Sequence, residues 1–245
     1  MRNFLSVICL VSLTVLVSSF YGDEVDKASR KITLAFHHQV GNDALVLGNP
    51  VKNILGETIS VEKFKYYVSN FSVTNDKGVT TKLPVQYFLI DEADPLSKNI
   101  NLSIPENIIV TRISFLLGVD SIKNVSGIQT GALDPLKGMF WTWNSGYIMA
   151  KMEGVSESAA TGGNHFTYDI GGFRKGMNTT KRIDLNIDNK EKNLQEVHIN
   201  ADINRWFKGS SELKIAETPI CHSPGALAMR IADNYSTMFS INSIR

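Results

Sequence analysis

The stretch that indicates the fold class is ITLAFHHQV, residues 32–40. Its apolar residues occupy every second position, and the residues between them are polar or small, which is typical of a β-strand with one buried face. His38 falls on the apolar side of this pattern, whereas His37 falls on the opposite side and is expected to face solvent. Gly41-Asn42-Asp43 follows as a turn sequence, so the strand is predicted to end at Val40.

Similar β-rich segments recur along the chain and are separated by turn sequences. They cover residues 64–74, 85–90, 109–117, 147–152, 165–170, 182–187 and 196–201. This pattern predicts an all-β fold, an antiparallel β-sandwich with Greek-key-like connections, long loops and one or two short helical turns. The helical turns are expected over residues 61–66, with Ser60 as a cap, and over residues 203–207, behind Asp202.

The first 19 residues have the composition of a secretory signal peptide. Arg2 makes the start basic, the run from Phe4 to Val17 is apolar, and Ser18-Ser19 provides small residues for cleavage. The apolar run is shorter than a membrane-spanning helix requires. We therefore expect an exported, periplasmic or secreted protein of the cell envelope without a transmembrane segment.

The rest of the chain is expected to form one β-sandwich domain over residues 30–210, with residues 211–245 as a C-terminal extension packed on the same domain. Cys9 and Cys221 are the chain's two cysteines, and Cys9 lies in the predicted signal peptide. The exported chain could then form no internal disulfide, and the Cys221 thiol is expected to be buried. The neighbouring His222 places an imidazole beside this thiol in a turn-rich segment.

Composition and motifs argue against several functions. The formal net charge is +1, so there is no electrostatic reason to expect nucleic acid as a partner. The sequence contains no nucleophile elbow, no glycine-rich phosphate loop and no zinc-protease motif. These observations favour a binding protein over an enzyme.

The most unusual segment is GMFWTWNSGY, residues 138–147, which contains Trp141 and Trp143. One interpretation is an aromatic corner that closes an end of the sandwich. Another is a surface on which a carbohydrate or other organic ligand stacks.

Three further side chains are candidates for a metal site. His38 is predicted to be buried, and its ring needs a partner that could be a metal ion, a backbone carbonyl or a carboxylate. His165 and Asp169 lie four residues apart on one face of a predicted strand. They could bind a divalent ion, form an ordinary hydrogen bond, or act as a general base and its orienting carboxylate.

Several short motifs, in this order along the chain, resemble those of the MbnP-like proteins, a copper-binding family associated with methanobactin. The resemblance runs from about residue 32 to residue 207, and the tryptophan-rich segment is its most specific part. The motifs are FxHxxG at 36–41, LxLG at 45–48, KYYVSN at 65–70, YxLID at 87–91, ISFxxGVD at 113–120, GxLDP at 131–135, GMFWxWNSGY at 138–147 and IGGF at 170–173.

The resemblance implies an exported β-sandwich that binds copper and has a role in copper acquisition or handling. In some members of the family a dihaem cytochrome peroxidase-like partner oxidises a tryptophan to kynurenine, and the resemblance implies Trp141 or Trp143 as the candidate for this modification here. His38 is then the candidate histidine ligand, and the copper site is expected near one end of the sandwich, in one pocket between His38, the segment from Trp141 to Tyr147 and the strand from His165 to Asp169. Asp169 departs from the family, because many relatives have histidine at that position. The departure implies a site that is altered, weakened, suited to a harder ion, or completed by His165 from the same strand face.

Overall fold

The structure is a computed structural model and describes residues 28–141 and 145–245. The predicted signal peptide therefore lies outside the described residues, and so does Trp143. None of the helices in the described ranges is both long enough and apolar enough to cross a membrane.

Strands dominate the described part of the chain, and they confirm the predicted all-β class. The strands are β1 (Ser29–Val40), β2 (Asp43–Ala44), β3 (Pro50–Lys52), β4 (Thr58–Asn75), β5 (Thr80–Lys82), β6 (Tyr87–Asp91), β7 (Asn99–Pro105), β8 (Val110–Leu117), β9 (Ile148–Val155), β10 (His165–Gly171), β11 (Lys181–Asn186), β12 (Glu196–Asp202), β13 (Ile220–Cys221) and β14 (Phe239–Ile244). The α-helices are α1 (Ser121–Asn124), α2 (Asn204–Phe207) and α3 (Ala226–Tyr235), and short 3-10 turns cover Pro95–Lys98, Gly131–Leu133, Pro135–Lys137 and Gly162–Asn164.

Within these ranges the strands form two sheets. The small sheet has five strands in the order β14-β12-β1-β2, with β7 also paired to β1. The large sheet has nine, in the order β11-β8-β4-β9-β10-β13, with β3, β5 and β6 paired to β4. Most pairs are antiparallel, as predicted, but β1 pairs with β12 and β10 pairs with β13 in parallel.

The alternation predicted for residues 32–40 is present in β1, except that Ala35 on the outer face is buried as well. The inward apolar residues of the strand belong to the main core. Phe36 packs edge-on against Tyr66 of β4 and Phe115 of β8, with ring centres 6.2 Å apart in both pairs. These contacts join the inner faces of the two sheets. Burying such rings on both inner faces supplies most of the hydrophobic stabilisation of a sandwich.

The predicted helical turn over residues 61–66 is wrong, because this segment lies inside β4. The register of β4 against β9 shifts between Val61 and Lys63, which marks a β-bulge. The bulge adds one residue to the strand, so that Val61 and Phe64 both face the core although they are three residues apart. A spacing of three is also typical of helices, and this explains the misleading pattern.

The second predicted turn is confirmed as α2. The residue that caps the helix start is Ile203 and not Asp202, and its side chain makes no capping hydrogen bond. The Asp202 carboxylate lies one residue earlier and accepts a hydrogen bond from the backbone N–H of Asn204 at 3.0 Å. Strands β7 and β14 and helix α3 were not predicted from the sequence. In α3, Ala228, Ile231, Ala232 and Tyr235 are buried with helical spacing.

Candidate functional site

The segment that contains Trp141, residues 138–147, is called the tryptophan-bearing turn below. It connects the loop after α1 to strand β9. Its two arms approach each other at Phe140 and Tyr147, which form an isolated antiparallel bridge. The backbone N–H of Trp141 donates to the carbonyl of Gly146 at 3.1 Å, and that of Ile148 donates to Met139 at 3.0 Å. The turn is therefore held by regular backbone hydrogen bonds on both sides of residues 142–144.

Asn124 fixes this turn against the preceding loop. Its side-chain oxygen accepts the Tyr147 backbone N–H at 2.8 Å, and its side-chain amide donates to the carbonyls of Val119 and Asp120 at 3.0 and 2.9 Å. Gly146 has a φ of +74°, and a Cβ there would lie 2.2 Å from the Asn124 side-chain oxygen. A glycine is required at this position for both reasons.

Trp141 packs against the end of strand β10. Its side chain is half-buried, and a Cβ added to Gly171 would lie 2.8 Å from Cζ3 of the indole. Beside this contact is a cavity of about 160 Å³ lined by Ser145, Gly172, Phe173, Arg174, Met177 and Pro224. The cavity connects the tryptophan-bearing turn, the Gly171-Gly172 pair and the segment after β13.

Asp169 lies two residues before Gly171, on the outer face of β10. One of its oxygens, Oδ1, is 2.6 Å from Nζ of Lys151, and the other, Oδ2, is 3.6 Å from Nδ1 of His222. The Lys151 contact lacks regular hydrogen-bond geometry, but opposite charges this close attract at any angle, so we treat it as an ion pair. The His222 ring is about half exposed, whereas Asp169 and Lys151 are largely buried.

Lys151 is also paired with Glu153, at 2.6 Å, and Glu153 is paired with Lys63 at 2.7 Å. Burial lowers the pKa of Lys151, but its contacts with the Asp169 and Glu153 carboxylates outweigh burial and raise that pKa above its usual value. Lys151 is therefore charged at neutral pH. Its ammonium supplies a fixed positive charge beside the one carboxylate of β10.

His38 lies on the inner face of the small sheet and is buried, as predicted. Its Nδ1 is 2.6 Å from Oε2 of Glu92, and its Nε2 is 2.9 Å from the hydroxyl oxygen of Tyr66. Glu92 also accepts a hydrogen bond from Lys98 at 2.9 Å. Of the partners that the sequence analysis left open for His38, the carboxylate is the one that the structure contains, and a tyrosine hydroxyl occupies the second nitrogen.

Burial sets the charges of this network. It lowers the pKa of His38 despite the attraction of Glu92, so the ring is neutral, donates from Nδ1 to Glu92 and accepts the Tyr66 hydroxyl proton at Nε2. Burial raises the pKa of Glu92, but hydrogen bonds from His38 and Lys98 together outweigh it and leave that pKa below its usual value. His38 thus has a complete set of hydrogen-bond partners.

The structure separates the candidate residues that the sequence analysis placed in one pocket. Tyr66 belongs to the main core together with Phe36. The adjacent Tyr67 belongs to a second cluster, which also contains Tyr147, and Trp141 packs against this second cluster. Successive residues of a strand point to opposite faces of the sheet. His38 and Trp141 therefore lie on opposite faces of the large sheet.

His165 is exposed at the start of β10 and shares the outer face with Asp169. Four residues of extended strand separate their backbones by roughly 13 Å, and Thr167 lies between them. The histidine that the structure brings to Asp169 is instead His222, from the segment after β13. Strand β13 pairs in parallel with β10, aligning Cys221 with Tyr168, which turns the Cys221 thiol into the core and His222 outward.

The sequence contained a weak signal for His222, as part of the Cys221-His222 dipeptide. It contained no signal that Lys151 would contact Asp169. Cys221 is buried, as predicted. Within residues 28–141 and 145–245, no group of three or more His, Cys, Asp or Glu side chains is close enough to hold a metal ion by itself. Asp169 and His222 thus offer two ligands for a metal ion, and an ion bound there would need further ligands from elsewhere.

Comparisons with known proteins agree with this fold. The chain is similar to the solved structure of MbnP from Methylosinus trichosporium, with a TM-score of 0.58 and 14% sequence identity over 88% of this chain and 99% of that one. A search of curated proteins finds no match. The model of the MbnP family matches residues 29–223, most of the chain. The resemblance noted in the sequence is thereby confirmed, and the chain belongs to the MbnP family.

Proposed function

We propose that this chain is an exported copper-binding protein that takes part in copper acquisition or handling and is not itself an enzyme. The observation that carries this proposal is the convergence of Trp141, Asp169 and His222 at one end of β10. Copper is expected on the outer face of the large sheet, at Asp169 and His222 and beside the tryptophan-bearing turn. Family membership supports copper as the metal.

The donor set fits one metal ion in part. An imidazole nitrogen and a carboxylate oxygen that are 3.6 Å apart can both lie about 2 Å from a single ion. Both are ligands that copper(II) accepts. The Lys151 ammonium opposes a cation here, because it already neutralises the other oxygen of Asp169.

A third donor is expected from the tryptophan-bearing turn. An intact indole has an N–H donor and no lone pair for a metal, so Trp141 as encoded is not a ligand. Oxidation of Trp141 or Trp143 to kynurenine by a dihaem peroxidase-like partner, as the family resemblance implies, would use peroxide as the oxidant. Cleavage of the indole C2–C3 bond with addition of oxygen, followed by hydrolysis that releases C2 as formate, would leave an aromatic amine that can bind a metal. The proposal therefore includes this modification.

Copper titration of signal-free protein from its native envelope tests the proposal. Wild-type protein should bind one copper ion, and both His222→Ala and Asp169→Asn should weaken binding by roughly tenfold or more, about 1.4 kcal/mol for each factor of ten. His165→Gln is the matched control, since it removes an exposed histidine from the same strand face and should leave binding unchanged. Full copper affinity in His222→Ala would contradict the proposed site.

The alternative, a binding module on which a carbohydrate stacks, has less support. Stacking needs an exposed aromatic face, whereas Trp141 is half-buried and its six-membered ring lies against Gly171. The cavity beside it holds about 160 Å³, well below the roughly 300 Å³ at which ligand pockets for drug-sized molecules begin.

A further inference from the structure

A pair of histidines, His37 and His198, lies on the outer face of the small sheet, away from the proposed copper site. In the parallel pairing of β1 and β12, Ala35 is opposite His198 and His37 is opposite Asn200. His37 and His198 are therefore diagonal neighbours on one face. Nε2 of His37 is 2.9 Å from Nδ1 of His198.

The two rings meet edge to edge. Their planes differ by 21° and their centres are 5.1 Å apart, so the two close nitrogens point toward each other. One of these nitrogens must carry a proton and the other must accept it. The pair thus shares one proton between two imidazole nitrogens.

Glu196 orients the second ring of the pair. Its Oε2 is 3.4 Å from Nε2 of His198, an ion-pair distance, although this buried nitrogen has no regular hydrogen bond in the described part of the chain. A carboxylate at Nε2 favours the tautomer with the proton on that nitrogen. The lone pair of Nδ1 then faces His37, which is the arrangement of a metal-binding histidine backed by a carboxylate.

We propose that His37 and His198 bind a divalent transition-metal ion that prefers imidazole, such as Ni²⁺, Cu²⁺ or Zn²⁺, in place of the shared proton. Two nitrogens at about 2.0 Å from one ion and at right angles are about 2.8 Å apart. The observed separation is 2.9 Å, so the nitrogens need not move apart. Because their lone pairs now point along the line between them, each ring must turn by about 45° to direct its lone pair at an ion bound at right angles. His37 and His198 supply two ligands, and water molecules occupy the remaining coordination positions of the ion.

The charges around the pair are compatible with a cation. Lys98 lies near His37, but its ammonium is paired with Glu92 at 2.9 Å. Partial burial, together with His198 and Lys98, lowers the pKa of His37 despite Glu196. The ring of His37 is thus neutral and able to bind a metal at pH 7. Arg245 lies 3.8 Å from Glu196 and leaves that carboxylate against His198.

Ni²⁺ titration by calorimetry of the signal-free chain, carrying no histidine tag, tests the pair. Wild-type protein should bind one Ni²⁺ ion at this pair, and His37→Gln and His198→Gln should each abolish that binding event. Glu196→Gln should weaken it by roughly tenfold to a hundredfold, the range typical of groups that orient a metal ligand. His165→Gln, which removes an exposed histidine outside the pair, is the matched control and should have no effect.

Two results would overturn the proposal: absence of Ni²⁺ binding to the wild-type chain, or unchanged binding in either single histidine variant. Substitutions at such partly exposed positions change stability little, and urea unfolding of each variant verifies that it is folded. The double variant Asp169→Asn with His222→Gln should retain the Ni²⁺ site. This result separates the histidine pair from the proposed copper site, so that one can fail without the other.

Discussion

The interior His38 network and the outer Asp169 site each contain an imidazole, a carboxylate and a lysine ammonium, but they differ in burial and in hydrogen bonding. His38 is buried and both of its ring nitrogens have hydrogen-bond partners, Glu92 and Tyr66. His222 is about half exposed and stands 3.6 Å from a carboxylate, beyond hydrogen-bond distance. A complete hydrogen-bond set stabilises the fold, whereas an incomplete one at the surface can accept a ligand. The comparison is the reason why we propose a structural role for His38 and a binding role for Asp169 and His222.

The largest expected effect comes from breaking the interior network. His38→Ala should lower the free energy of unfolding by about 2–4 kcal/mol, because it opens a cavity, leaves the buried Tyr66 hydroxyl without its partner and leaves Glu92 with Lys98 alone. Urea unfolding followed by fluorescence measures this loss. The exposed neighbour provides the control, since His37→Ala should change stability by less than about 0.5 kcal/mol. If His38→Ala instead abolished copper binding at full stability, the roles assigned to the two regions would be reversed.

A smaller effect is expected at the outer site from Lys151→Met. Loss of the ammonium removes its contacts with both Asp169 and Glu153 and should lower the free energy of unfolding by about 1–2 kcal/mol, less than the roughly 3–5 kcal/mol of a fully buried pair, because these side chains keep some contact with solvent. It should also raise the affinity for copper several-fold, because Asp169 regains its full negative charge. Lys63→Met is the control, since the Lys63 side chain is 57% exposed. Weaker copper binding in Lys151→Met would show that the ammonium supports the site.

The smallest effect is a pH dependence of stability that belongs to the interior network. The pKa of His38 is lowered in the folded protein, so the unfolded chain takes up the proton first. Stability should fall as pH drops below the ordinary histidine value of about 6.5. The pKa of Glu92 is also lowered, so its contribution is present above the ordinary glutamate pKa and is lost as pH falls through its folded-state value.

Urea unfolding between pH 4 and pH 8 separates these two contributions. His38→Gln should remove the loss that begins near pH 6.5 and leave part of the loss at lower pH. His37→Gln must be measured alongside, because the pKa of His37 is lowered as well. A wild-type profile that remains flat between pH 7 and pH 5 would contradict a neutral, buried His38.

The site was harder to predict than the fold, because its contacts are between residues distant in the chain. Alternation in residues 32–40 was sufficient to place His38 inside, since burial of one strand face depends on a local period of two. The partner of Asp169 was not predictable in this way. Lys151 and His222 reach it through the pairing of β10 with β9 and β13, and no local pattern encodes that register.

The sequence by itself determined that the chain is an all-β member of the MbnP family, that His38 is buried and that His37 points outward. It did so because strand periodicity and family motifs are local properties of the chain. The tertiary structure alone decided which groups meet: Glu92 and Tyr66 at His38, Lys151 and His222 at Asp169, and His198 at His37. Each of these contacts joins residues on different strands or segments, and distance in space is set by strand pairing rather than by distance along the chain.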